Sequence, residues 1–224
     1  MDKYETIRMI GMSCEGIAAI TGLFYWKKWK KTYWKWFPFY LLIITVGECA
    51  GKYLREHPTG ELYQDLYWFI LLPFQYFFLL ALFLVYNKTK KQKTTLQLIC
   101  LLIYACAWMA DIFYFKNKVL FFSSFSNVVG DLLFFVLLLA FFYKYVFSER
   151  ILYFQKDIMF WVSAGILLYY VGTLPLDALY NTLSSKFYQI FETYWFVSMF
   201  LDCFMYLIFA FSFIWAKPKY SYSL

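Results

Sequence analysis

Histidine is all but missing from this chain, with one residue, His57, in 224. Five cysteines and five prolines are nearly as sparse, and charged residues make up only 16%. Each shortage removes a class of chemistry. A single histidine in a polar break leaves no Ser/His or Cys/His pair for nucleophilic catalysis, and neither HExxH nor GxSxG occurs. Cys14, Cys49, Cys100, Cys106 and Cys203 show no zinc-ligand spacing, so a metal site has little to be built from. Their odd number, with every one inside a hydrophobic run, argues against a disulfide framework. The last hydrophobic run has no lysine between Lys186 and Lys217, which excludes a retinal-type Schiff base. No cofactor is expected.

What the chain has instead is apolar surface. Hydrophobic residues reach 63% and aromatics 26%, far more than a soluble domain can bury. A hydrocarbon core of ~30 Å needs ~20 apolar residues per helix. Seven runs meet that length, at 8–26, 37–54, 66–86, 96–115, 120–146, 158–180 and 188–216. They are continuous rather than alternating, and about twice the length of a barrel strand, which excludes transmembrane strands. The expected fold is all-α, a polytopic membrane bundle of seven transmembrane helices forming one domain over 1–224. The longest break, Lys52 to Asp65, has fourteen residues and only nine follow Trp215, too few for a soluble domain. The first run carries Glu15 and lacks a small-residue cleavage site, so it is expected to persist as a helix rather than serve as a signal peptide.

Lysine and arginine set the orientation. Fourteen of the 21 fall on one side: Lys27, Lys28, Lys30, Lys31 and Lys35; Lys88, Lys90, Lys91 and Lys93; Lys144, Arg150 and Lys156; Lys217 and Lys219. Glu149 and Asp157 are the acids among them. That side is expected to be cytoplasmic, with the N-terminus outside, the C-terminus inside and the chain in the cell inner membrane. The basic face reads first as a topology signal attracted to anionic lipid, and second as a dock for a soluble cytoplasmic protein. Trp26, Trp29, Trp34 and Trp36 alternate with its lysines as in an aromatic belt at headgroup level, so direct nucleic-acid binding is not expected.

Against this background seven of the fourteen carboxylates stand inside the hydrophobic runs. An ionised carboxylate at mid-membrane costs on the order of 2.5 kcal/mol or more, so such a group faces a bundle interior, a wet cavity or a partner. Depth along each run separates them. Glu15, Glu48, Asp131 and Asp202 lie deep, between the midplane and the outer third, and are the candidates for a cavity that attracts an ion or ligand. Asp111, Asp177 and Glu192 lie nearer the outer headgroups beside Lys116, Lys118 and Lys186, and with Gln75 form a secondary set. Asn127 shares a helical face with Asp131, and Ser198 with Asp202. Pro73 and Pro175 are expected to bend their segments. Gly11, Gly16, Gly22, Gly47, Gly51, Gly130 and Gly165 are expected at close helix contacts.

Three stretches carry a resemblance. Phe37-Pro38-Phe39-Tyr40 opens the run containing Glu48, Leu66-Tyr67-Trp68 leads to Pro73-Phe74-Gln75, and Asp157-Ile158-Met159-Phe160-Trp161 opens the run reaching Gly172. They resemble small bacterial seven-helix membrane proteins and the membrane accessory protein of type VI-B CRISPR systems. The resemblance touches three of the seven segments and carries over no functional residue. It implies a non-enzymatic membrane protein that modulates or executes an antiviral response. The leading expectation is therefore a regulatory or accessory module with an acidic cavity and a basic cytoplasmic face. The alternatives are a homo-oligomeric channel or pore-forming effector, and a lipid-modifying enzyme.

Overall fold

The computed structural model describes residues 3–55, 67–89, 93–115 and 125–218. His57, Leu66, Lys90, Lys91, Lys116, Lys118 and Lys219 lie outside them. The described residues are helical almost throughout, with no strand. We number the helices α1 (Lys3–Phe24), α2 (Trp26–Trp29), α3 (Phe37–Arg55), α4 (Leu72–Thr89), α5 (Thr95–Ala110), α6 (Phe125–Val146), α7 (Ile158–Lys186) and α8 (Tyr188–Trp215). One π turn, Tyr67–Leu71, leads into α4 and another, Asp111–Phe115, follows α5. Short 3-10 turns at Tyr33–Trp36 and Glu149–Lys156 precede α3 and α7.

Six stretches are long and apolar enough to cross a membrane: Glu5–Phe24, Phe69–Lys88, Thr95–Phe113, Phe125–Val146, Ile158–Tyr180 and Tyr188–Trp215. The segment expected at 37–54 does form a helix, α3, but Glu48, Lys52 and Arg55 make its second half too polar to join them. Length and hydropathy thus mark a multi-pass membrane protein.

The long helices follow one another around a ring. α1 packs between α3 and α8, α8 against α7, α7 against α6, α6 against α5 and α5 against α4, which returns more sparsely to α3. Outward faces are apolar, as at Ile20, Phe24, Leu102 and Phe200, which are all exposed. Inside, aromatic rings fill the space: Tyr40 stacks on Phe78 with centroids 4.2 Å apart, and Phe37 meets Phe209 at 5.3 Å and Phe213 at 5.6 Å. Trp29 and Trp34 are fully buried, so they belong to this core and not to a belt at headgroup level. The reason is local: after α2 the chain turns under the bundle, the Thr32 hydroxyl accepts a hydrogen bond from the Trp34 amide (3.2 Å), and the two indoles are carried inward.

The basic segments meet at one end, where Lys28 finishes a helix. In a continued helix the Lys217 amide would donate to the Phe213 carbonyl, but it donates to Lys156 at 2.9 Å instead, and Pro218 has no N–H for Ile214. The Lys28 amine donates to both orphaned carbonyls, each at 2.9 Å. Burial, and then the charge of Lys217, push the Lys28 ammonium below its ordinary pKa. The unfolded chain therefore holds more protons in the window just under the usual lysine value, and stability rises with pH across it. Lys28→Met should destabilise the purified protein by about 1 kcal/mol in thermal melts. Its deficit against wild type should widen as pH is raised through that window, and a deficit independent of pH would contradict this assignment.

Asp157 opens α7 in the same economical way. Its carboxylate accepts from the Met159 amide at 3.0 Å and from the Tyr145 hydroxyl at 3.2 Å, tying α6 to the start of the next helix.

Candidate functional site

Three helices bring the first group of acids together. Glu15 on α1 is 7% exposed and lies within electrostatic reach of Asp202 on α8 and Glu48 on α3. At Gly11 a Cβ would sit 3.7 Å from the Asp202 Oδ2, an ordinary contact, so the carboxylate lies against α1 one turn from Glu15. Beside them the thiols of Cys14 and Cys203 meet across the same helix pair. Arg8 pairs with Glu48, Nη2 to Oε2 at 3.6 Å, and lies within electrostatic reach of Glu15. Glu48 also accepts from the Tyr67 hydroxyl. The Glu15 Oε2 is buried without a hydrogen-bond partner.

Phenols surround the trio. Tyr40, buried on α3, reaches toward Glu15 and Asp202 and shares a side-chain hydrogen bond with Gln75 of α4. Tyr206, buried one turn beyond Asp202, faces the same two acids. Tyrosine suits this position because its ring is apolar while its hydroxyl donates to a carboxylate.

A second group forms between α6 and α7. Asp131 is 1% exposed, and its Oδ1 accepts from the Tyr76 hydroxyl at 2.6 Å. Asp177 of α7 stands beside it, one turn from Thr173. Gly130 clears the way for Tyr76, since a Cβ there would lie 2.6 Å from the ring Cδ1 and closer to Cε1. Tyr169 joins the two groups: its hydroxyl is within electrostatic reach of Asp202, Asp177, Asp131 and Glu48.

The four deep acids therefore fall into a trio, Glu15, Glu48 and Asp202, and a separate pair formed by Asp131 with Asp177. Gln75 takes its place beside the trio through Tyr40. Asp111 is drawn elsewhere: its two oxygens accept from the Phe125 and Ser126 amides at 3.1 and 2.8 Å, capping the start of α6. Glu192 stands one turn into α8, half-buried. The Ser198 hydroxyl turns back to the Trp195 carbonyl of its own helix at 2.8 Å rather than toward Asp202. Arg8 and the tyrosines are site residues that the pattern of buried acids does not point to. A signal exists for Tyr169 and Tyr206, which stand in mid-segment away from the interfaces where that residue is enriched, but not for Tyr40 and Tyr67, which stand near segment ends.

Comparison with protein families, curated proteins and solved structures finds no match. The chemistry has to be taken from the residues. Among those described, no three His, Cys, Asp or Glu side chains close into a shell that would hold a metal ion. The trio is spread more widely, with phenols between its members.

Proposed function

We propose that this chain is a non-enzymatic, regulatory membrane protein whose interior binds a protonated amine between Glu15, Glu48 and Asp202. The observation that carries the reading is the cluster of charge at the trio, three carboxyl groups with Arg8 paired to one of them and one oxygen of Glu15 unpartnered. An ammonium group supplies several N–H donors that can be shared among separated carboxylates. The faces of nearby tyrosine rings add about 0.5–2 kcal/mol of cation–π attraction. A bare metal ion needs a tighter oxygen shell.

In this reading α3 is the seventh span, because it stands in the ring between α1 and α4 and its exposed Phe39, Leu42, Ile43 and Val46 face lipid. The N-terminus is outside and the lysine-rich end is cytoplasmic, in the inner membrane, where it meets a soluble partner. The segments that resemble the type VI-B accessory protein give the setting, a module that modulates or executes antiviral defence.

The test is a thermal-melt series on the purified protein in nanodiscs with butylamine, tetramethylammonium, Na⁺ and K⁺. Butylamine should stabilise saturably, and tetramethylammonium, which has no N–H to donate, should do so much less. Equal stabilisation by all four would reduce the effect to ionic strength. Ion flux through liposomes that falls in Asp131→Asn and Asp202→Asn would replace the proposal with a channel.

A further inference from the structure

Apart from the acidic interior, a cavity of about 100 Å³ opens among α4, α5 and α6 at the basic end. It is large enough for several waters or one small oxyanion, given that a single water needs roughly 10–15 Å³ of such space. Two carboxamides line it, Asn87 and Gln97, which are 7% and 6% exposed. The Gln97 Oε1 is buried without a hydrogen-bond partner, a position that costs free energy unless something in the cavity supplies a donor. Two cations reach the same space. Lys144 makes no ion pair among the described residues, and Arg150 donates through Nη1 to the Tyr86 hydroxyl at 2.6 Å, which holds its guanidinium over the Tyr86 ring. Of the two acids at this end, Asp157 is committed to Tyr145 and the α7 cap, and Glu149, between the lining residues Ser148 and Arg150, is exposed and does not itself line the cavity.

We infer that this cavity binds a phosphate ester that also carries a hydroxyl group. The phosphate oxygens take charge-assisted bonds from Lys144 and from the free N–H groups of Arg150, whose planar fork suits phosphate. The hydroxyl donates to Gln97, and Asn87 serves either part. Such a group comes either as an anionic lipid headgroup, since the cavity lies at the lysine-rich end, or as a soluble phosphate ester.

The full chain in nanodiscs separates these sources. Soluble glycerol 3-phosphate is titrated into phosphatidylcholine discs, and in parallel phosphatidylcholine discs are compared with discs containing phosphatidylglycerol, with thermal stability and native mass spectrometry as readouts. Saturable stabilisation by glycerol 3-phosphate identifies a soluble ligand. Stabilisation only in phosphatidylglycerol, with lipid retained in the mass spectrum, identifies a headgroup. In whichever arm responds, Lys144→Ala and Gln97→Leu should weaken binding at least tenfold, while Lys35→Ala, outside the cavity, should not. No response in either arm, or equal weakening by all three variants, would overturn the inference and leave a water-filled cavity on a generally cationic surface.

Discussion

Gly130→Ala should destabilise the bundle by about 3 kcal/mol or more, a large effect for one methyl group. The added carbon would overlap the Tyr76 ring. That ring is buried and cannot step aside, because Tyr104, Phe134 and Tyr170 hold it with centroids 4.9, 5.4 and 5.4 Å away. Forcing it out also breaks the hydrogen bond to Asp131, leaving a buried carboxyl group without that donor. Gly16→Ala is the control. Its Cβ would meet only a Thr45 methyl at 3.9 Å, an ordinary contact, so the change should be neutral or slightly stabilising. Equal melting midpoints for the two variants would refute the packing described between α4 and α6.

Removing Arg8 should have the second large effect. A buried ion pair that loses one partner costs about 3–5 kcal/mol when fully enclosed. Here the Arg8 and Glu48 side chains are 21% and 15% exposed and 3.6 Å apart, so screening reduces the expectation to about 2 kcal/mol for Arg8→Ala. The penalty arises because Glu48, Glu15 and Asp202 are left facing one another. Arg8→Ala with Glu48→Gln should therefore recover much of the loss, giving a positive coupling in a double-mutant cycle. Additive losses would mean that Arg8 acts through packing rather than charge.

Much of this architecture can be read from residues alone, and the failures are specific. Hydropathy marks the helices because each must satisfy its backbone internally in lipid. It also gives depth, which is why Glu15, Glu48 and Asp202 all read as lying between the midplane and the outer third. It gives no azimuth, so it did not separate Asp131 from that trio. Asp177 reads as an acid near the outer end of its segment, whose apolar stretch closes at Tyr180. The helix runs on to Lys186 beyond the apolar stretch, and the contact of Asp177 with Asp131 across α6 and α7 is one that depth alone does not give. Asp111 reads as a headgroup acid, yet its partners are backbone amides fourteen and fifteen residues away, a contact that no local pattern announces. The tryptophans among the lysines matched a belt by composition, but two of them are buried by a turn whose geometry depends on Thr32.

Binding of butylamine measured by calorimetry in nanodiscs tests the central claim most directly. Wild type should bind with a saturable heat. Glu15→Gln, Glu48→Gln and Asp202→Asn should each weaken binding at least tenfold, or about 1.4 kcal/mol. Asp131→Asn, outside the trio, should leave binding within a few-fold of wild type. An Asp131→Asn variant as impaired as the other three, or a wild-type chain that takes up no amine, would contradict the account.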